Sequence, residues 1–174
     1  MAAEPRVRLR DVTVADADLL DAWNRDEPSE FNDFGEEAAS LPRDVIAAGP
    51  LRNDRNGMLV IERLDTLAVI GTVGWHRVNY GPNAESDAWN IGIELRPEHR
   101  GQGLGAEAQR QLADFLFEAY DLNRVEASTD VENLAEQRAL EKAGFVREGI
   151  QRGAQFRAGA HHDLVTFSRL RTDP

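Results

Sequence analysis

The stretch "RPEHRGQGLGAEAQRQL", residues 96–112, decides how this chain is read. It sets three glycines within five residues, at Gly101, Gly103 and Gly105. A strand-patterned run stops just before it and a helix-patterned run starts inside it. Glycine lacks the Cβ that would hold a ligand away from the backbone. A glycine turn that opens a helix therefore lets free N–H groups close on an anion, and the helix dipole adds attraction. Three readings compete. The plainest is a turn and a helix entry. The second is a dinucleotide fingerprint, since "GQGLGA" fits G-x-G-x-x-[GA]. That turn follows its strand directly and usually opens its domain; here "RPEHR" intervenes and three strands come first. The acidic residue expected about 20 positions on is also misplaced. Asp121 lies at the helix end and Asp130 comes too late. No Gly-Lys-[Ser/Thr] follows, which excludes a Walker phosphate loop. The third reading is Arg100-x-x-Gly103-x-Gly105 as a pyrophosphate cradle at the N-terminus of helix 104–119.

Working outward, "DAWNIGIEL" (87–95) has period two. Trp89, Ile91, Ile93 and Leu95 share one face, and Asn90, Gly92 and Glu94 share the other. Pro97 has no N–H to give a neighbour and ends the regular pairing. Leu104, Ala108, Leu112, Phe115, Leu116 and Ala119 fall three and four apart, which predicts an amphipathic helix over 104–119. "RVEAST" (124–129) reads as the next strand. "NLAEQRALEKAGF" (133–145) reads as a second helix, stopped by Gly144. Upstream, "RVRLRDVT" is a first strand, and Thr13 or Asp16 caps a helix from Asp16 to Trp23. An acidic loop covers 26–41, and a short helix follows Pro42. "GMLVIERL" and "LAVIGTVGWHRVN" are strands joined near Asp65 and Thr66, and "YGPNAES" is a loop. The tail "FRAGAHHDLVTFSRL" (156–170) predicts a hairpin turning near Gly159. The order is that of a mixed α/β layered fold in one domain spanning 1–174.

Composition narrows the function classes. The chain has 174 residues and 41% apolar content, enough for one well-cored domain. No run of about 18 apolar residues occurs, so no membrane span is expected, and "MAAEPRVRLRD" lacks the apolar core of a signal peptide. Cysteine is absent, which excludes thiolate metal sites and a cysteine nucleophile and suits a cytoplasmic location. Neither a nucleic acid nor an anionic membrane is an expected partner at a formal charge of −11, and cationic partners are favoured. Lys142 is the only lysine, which reads as GC-rich codon bias. His161 and His162 invite a metal reading, but adjacent strand residues point to opposite faces. A hairpin position with Asp163 as partner is the better reading, and no metal site is expected.

The segment from Trp89 to Arg152 resembles the GNAT superfamily of N-acetyltransferases, in its RimJ/RimL-like branch. The resemblance rests on Ile91-Gly92, Leu95-x-Pro97, Arg100-x-x-Gly103-x-Gly105, Asn133, and Leu140-Glu-Lys-x-Gly-Phe145 followed by Glu148-Gly149. It extends from about residue 58 to the tail "HHDLVTFSRL" and, more loosely, over the first 25 residues. It implies the GNAT fold: a mixed, mostly antiparallel central sheet, about four flanking helices and a V-shaped splay between the two central strands. It implies acetyl transfer from acetyl-CoA to an amine, with CoA as product. Backbone groups of Ile93, Leu95, Arg96 and Pro97 would meet the pantetheine arm. Arg100 with the N–H groups of Gly101, Gly103, Leu104, Gly105 and Ala106 would hold the pyrophosphate. Asn133 matches the family asparagine of the pantetheine arm and is equally a helix N-cap. A backbone N–H near Ile93 to Leu95 would meet the oxyanion.

An amine is mostly protonated at neutral pH, so a base helps. Glu94, beside Gly92 and Asn90 on the non-apolar face, is the first candidate; His76 in "GWHRVN" is the second. A solvated strand face is the alternative for both. The departing thiolate often takes a proton. The RimJ/RimL-like pattern has serine three residues after the asparagine, where this chain has Glu136. Tyrosine, used by other members, is replaced by Leu140. Tyr120 ends the other helix and reads as packing. A water, Glu136 with a raised pKa, or no acid at all would serve. The acidic loop and the aromatics Trp23, Phe31, Phe34 and Trp75 fit a cationic acceptor such as a protein N-terminus, an aminosugar or a polyamine, although Trp23 and Trp75 also suit a core. The expected chain is an acetyltransferase acting as a monomer or homodimer. A CoA-binding sensor without turnover is the competing reading, and an NAD-binding protein the third.

Overall fold

Four strands built on alternating apolar residues lay down the sheet. The computed structural model describes residues 4–26, 30–35 and 40–174. Strands β1 (Val7–Asp11), β2 (Asn56–Arg63), β3 (Val69–Asn79) and β4 (Asp87–Leu95) run antiparallel in chain order. Their alternation sends Val7, Leu59, Ile61, Val73, Trp75, Trp89 and Ile91 into the main core. Val60 points the other way, into a smaller core with Val12, Ala17, Leu20 and Ile46. Helices α1 (Val14–Trp23) and α2 (Arg43–Ala48) cover that second face. α1 starts two residues before the expected Asp16, because Asp16 works from inside the first turn. Its Oδ2 accepts from the Thr13 N–H at 2.8 Å and from Thr13 Oγ1 at 2.7 Å, which fixes Thr13 as the cap.

The chain then crosses over through α3 (Leu104–Ala119) to β5 (Arg124–Asp130). Leu104, Ala108, Leu112 and Leu116 recur every fourth position on the buried stripe of α3, as the sequence period requires. β5 is parallel to β4, as such a crossover requires, and every other strand pair is antiparallel. α4 (Leu134–Lys142) follows and packs on the same face as α3 through Leu140. Gly144, at φ +91°, ends it in the left-handed conformation, and the Phe145 N–H returns to the Leu140 carbonyl at 3.0 Å. β6 (Val146–Arg157) and β7 (Ala160–Leu170) close the order β1-β2-β3-β4-β5-β7-β6. The sheet is therefore mixed and mostly antiparallel, with four helices.

The closing hairpin turns at Ala158-Gly159 as expected, but its first strand begins at Val146, ten residues before Phe156. β6 is an edge strand, and its pairing shifts register between Arg147 and Gly149 and again between Gln151 and Gln155. Its residues are mostly exposed. An edge strand with bulges loses the period-two signal that identified the inner strands.

Candidate active site

β4 and β5 pair only at Trp89–Val125, Asn90–Glu126 and Ile91–Ala127. Beyond Ile91 and Ala127 the strands part, and a cavity of about 610 Å³ opens between them. The direction of the free backbone groups follows from the other edge of β4. The Arg96 N–H donates to the Ile70 carbonyl at 3.0 Å. Backbone groups alternate sides in an antiparallel ladder, so the N–H groups of Ile93 and Leu95 point into the gap. Arg96 departs from expectation here, since its N–H is committed to β3. Its side chain also turns away, over the Trp23 ring at 5.2 Å and onto Asp26 at 2.7 Å. Pro97 opens a single 3₁₀ turn, and the Leu104 side chain is buried in the main core.

The glycine turn borders the cavity directly. Gly101 and Gly103 have φ of +71° and +78°, the left-handed region that favours glycine. Gly103 is the N-cap of α3 and no side chain caps that helix. The first N–H groups of α3 thus lack intrahelical partners. A Cβ at Gly105 would lie 3.2 Å from Leu95 Cδ1, so this glycine lets the helix start lie against β4. A Cβ at Gly101 would meet nothing within 4 Å, which leaves that side of the turn open. Arg100 donates from Nε to the Leu95 carbonyl at 2.8 Å, tying the turn to the end of β4. The open helix start and the unpaired strand edge fit a ligand with a pyrophosphate and a chain of amides. Arg100, Gly101, Gly103, Gly105, Ala106, Ile93, Leu95 and Asn133 all line the cavity. Asn133 caps α4, with Oδ1 accepting from the Glu136 N–H at 3.2 Å and Nδ2 donating to Thr129 Oγ1 at 3.1 Å.

Of the three acid–base candidates, Glu94 and Glu136 line the cavity and His76 does not. His76 stands opposite Asn90, and Glu94 opposite Thr72. Four strand residues separate the two positions, about 13 Å. Glu94 is exposed on the face turned away from α3 and α4. Glu136 sits on the α4 side. A part of the residue still meets solvent, but most of its surroundings are protein, and this desolvation pushes its carboxyl from 4.5 up to about 7. The nearby Gln109 amide opposes the rise. Gln109 is itself buried, 1% exposed, and its Nε2 has no hydrogen-bond partner of full geometry among the described residues.

On the face opposite α3 and α4, residues 30–34 form the far wall, with Glu30, Phe31, Asn32 and Phe34 lining the cavity. Trp23 packs against the smaller core, and Trp75 is buried edge-to-face with Phe115. Of the acidic loop, Glu27, Glu36 and Glu37 lie outside the described residues. The wall is held by Arg157 at the hairpin tip. Its guanidinium binds the Glu30 carbonyl and the buried Asp130 carboxylate, and lies 5.4 Å from the Phe31 ring centroid. The Ala158 N–H donates to the Asp33 carbonyl at 2.9 Å. His162 joins this cluster through Asp130, at 3.3 Å, whereas Asp163 accepts from the Gly153 N–H. Asp163 is therefore not the partner of His162, because β7 turns the two side chains to opposite faces.

Arg138 and Lys142 on α4 also line the cavity, and neither was singled out from sequence as a site residue. Their spacing of four was the available signal. A second cavity, of about 590 Å³, opens at the other end of the sheet by Tyr80 and Arg124. Two of its lining residues are engaged by ion-pair or hydrogen-bond partners, Tyr80 with Glu126 at 2.6 Å and Arg124 with Glu148 at 2.6 Å.

Known proteins resemble this chain in sequence and in architecture. A family model described as an acetyltransferase (GNAT) domain matches residues 6–146. An uncharacterized N-acetyltransferase, p20, of Bacillus licheniformis is 30% identical over 97% of this chain and 94% of its own length. The ribosomal-protein-S5-alanine acetyltransferase of Vibrio fischeri matches with a TM-score of 0.79 at 22% identity, over 98% of this chain and 96% of that one. A spermidine N-acetyltransferase from Vibrio cholerae, solved with CoA and spermine, matches with a TM-score of 0.75 at 20% identity, over 97% of both chains.

Proposed function

The chain belongs to the GNAT family of acetyltransferases, and from that premise we propose that it moves an acetyl group from acetyl-CoA to the primary amine of a cationic acceptor. A protein N-terminus, an aminosugar and a polyamine are the classes in view. The observation that carries this reading is the two-sided cavity through the β4–β5 gap. On the α3 and α4 side stand an uncapped helix start and Arg100. On the opposite side stand Glu30 and Glu94 with Phe31 and Phe34. Asp130 lies there too, but its charge is matched by Arg157. The uncompensated acids and the aromatic faces favour a cation. The names of the two structural matches, one a ribosomal-protein and one a spermidine acetyltransferase, agree with amine acceptors of this kind.

Acetyl-CoA, when bound, supplies an activated thioester. The first N–H groups of α3 and Arg100 would hold its pyrophosphate, and the free N–H groups of Ile93 and Leu95 would meet its amides or the developing oxyanion. Glu94 would accept the proton that the attacking amine gives up. Glu136 would return a proton to the departing sulfur. Its pKa of about 7 leaves it part protonated at neutral pH, as a proton donor requires.

Thiol release from acetyl-CoA tests this with spermidine, an aminoglycoside and a peptide with a free N-terminus. Turnover with at least one is expected. Glu94→Gln should lower kcat by about a hundredfold or more and shift the pH–rate profile. Tight CoA binding without thiol release across the panel would instead identify a binding module. An unaltered profile in the variant would move the role of base to water.

A further inference from the structure

We infer that Arg157 is the positioning residue for the acceptor: it sets the place of the wall that the amine meets, without touching the amine. The inference rests on the acceptor side proposed above and names the side chain on which acceptor recognition depends. Arg157 is 3% exposed and does not line the cavity. All four residues that its guanidinium meets do line it. Its Nε donates to the Gln155 side-chain oxygen at 3.3 Å. One terminal nitrogen donates to the Glu30 carbonyl and the other to Asp130, and the Phe31 ring centroid lies 5.4 Å away.

These partners come from three separate parts of the chain. Glu30 and Phe31 lie between α1 and α2, Asp130 ends β5, and Gln155 precedes the hairpin turn. Among the described residues, segment 30–34 is hydrogen-bonded to the rest of the protein only by Arg157 and the Ala158 N–H. Asp130 gives this anchor its position. It is the last residue of β5, the strand whose parting from β4 opens the gap. Its Oδ1 accepts from the Glu132 N–H at 2.7 Å, so the carboxylate is held from both sides. Two buried side chains thus register the wall to the gap. Stability alone does not call for such a pair, since apolar residues of similar volume hold a fold as well. Positioning does. A planar guanidinium has five donors in a fixed fork, and here it meets a carboxylate, a carbonyl and an amide oxygen at once. A lysine ammonium is a single point at the end of its stem and does not span them.

Steady-state kinetics on the full chain test this, with spermidine, an aminoglycoside and a peptide with a free N-terminus as acceptors and CoA calorimetry beside them. Arg157→Lys keeps a charge against Asp130 and gives up the fork. It should lower kcat/KM for the amine by about ten- to a hundredfold, mostly as a higher KM. The affinity for CoA should stay within about twofold of the parent. Asp16→Asn breaks the Arg10–Asp16 pair beside β1 and should leave both constants unchanged. It so separates positioning from a general loss of stability. Should the lysine variant not fold, Arg157→Met with Asp130→Asn leaves no unpaired charge buried and carries the same expectation. An unchanged KM for the amine in the folded variant, or an equal loss of CoA affinity, would overturn the inference alone. No turnover of any of the three amines by the unaltered protein would overturn the acceptor reading and this inference with it.

Discussion

Replacing Glu136 by glutamine should make the protein more stable, and only at neutral and alkaline pH. The folded carboxyl titrates near 7 against an ordinary 4.5, a difference that converts to about 3 kcal/mol at 1.36 kcal/mol per unit. The raised value means the folded state holds this proton more tightly than the unfolded chain does. Below pH 4.5 both states are protonated and the group costs nothing. Between pH 4.5 and 7 the unfolded chain releases the proton first, and stability falls as pH rises. Above 7 both states are ionised and the full cost remains. The position of Glu136 in the first turn of α4 favours its charge and offsets roughly 0.3–1 kcal/mol of this. About 2–3 kcal/mol is left for the glutamine variant to recover at pH 8, and less than about 1 kcal/mol at pH 5. Urea denaturation at both pH values measures it. With slopes of about 1–3 kcal/mol per molar urea, the midpoints should differ by about 0.7 M or more at pH 8 and by about a third as much at pH 5. A gap of the same size at both pH values would show that burial does not shift this carboxyl, and would remove Glu136 as a proton donor.

Two other substitutions probe the cradle and the frame. Gly103→Glu sets a negative charge at the start of α3 and should abolish CoA binding in calorimetry while far-UV dichroism stays that of the parent. Its positive φ adds strain of about 1–2 kcal/mol; retained affinity would refute the cradle. Asp16→Asn removes a carboxylate held near 2 by Arg10, whose guanidinium reaches it with two bonds of 2.8 Å. A lowered folded pKa stabilises above the unfolded value, so this variant should lose about 2 kcal/mol at pH 7. The deficit should shrink between pH 4 and 2 in acid denaturation.

The parts of this molecule that were legible in the sequence are those governed by local period and local chemistry. α3 could be placed because its apolar residues repeat every three and four positions, and β4 because Trp89, Ile91, Ile93 and Leu95 alternate with polar neighbours. The glycine turn could be read because a left-handed backbone and an open helix start both call for glycine. β6 was hidden, since an exposed and bulged edge carries no period. The wall of residues 30–34 was only partly visible. Its aromatics could be named, but the Arg157 that holds it lies 127 residues from Glu30. The gap itself depends on where β5 stops pairing with β4, which is decided by packing and has no signature in either strand. Arg96 shows the limit of adjacency, because a place beside the glycine turn does not fix where its groups go: its N–H serves β3 and its side chain lies over Trp23.

Lys142, the single lysine of the sequence, has a practical consequence. It is the one side-chain primary amine in the chain, and it stands at the cavity wall. Reagents that react with amines therefore have one side-chain target, beside the chain's own α-amine. Coupling to an activated resin or sensor surface through side chains would fix every molecule by the same corner and turn this cavity wall toward the support. A dye attached the same way would report from that wall alone. Handling that is harmless to a lysine-rich protein would here cover the mouth of the cavity.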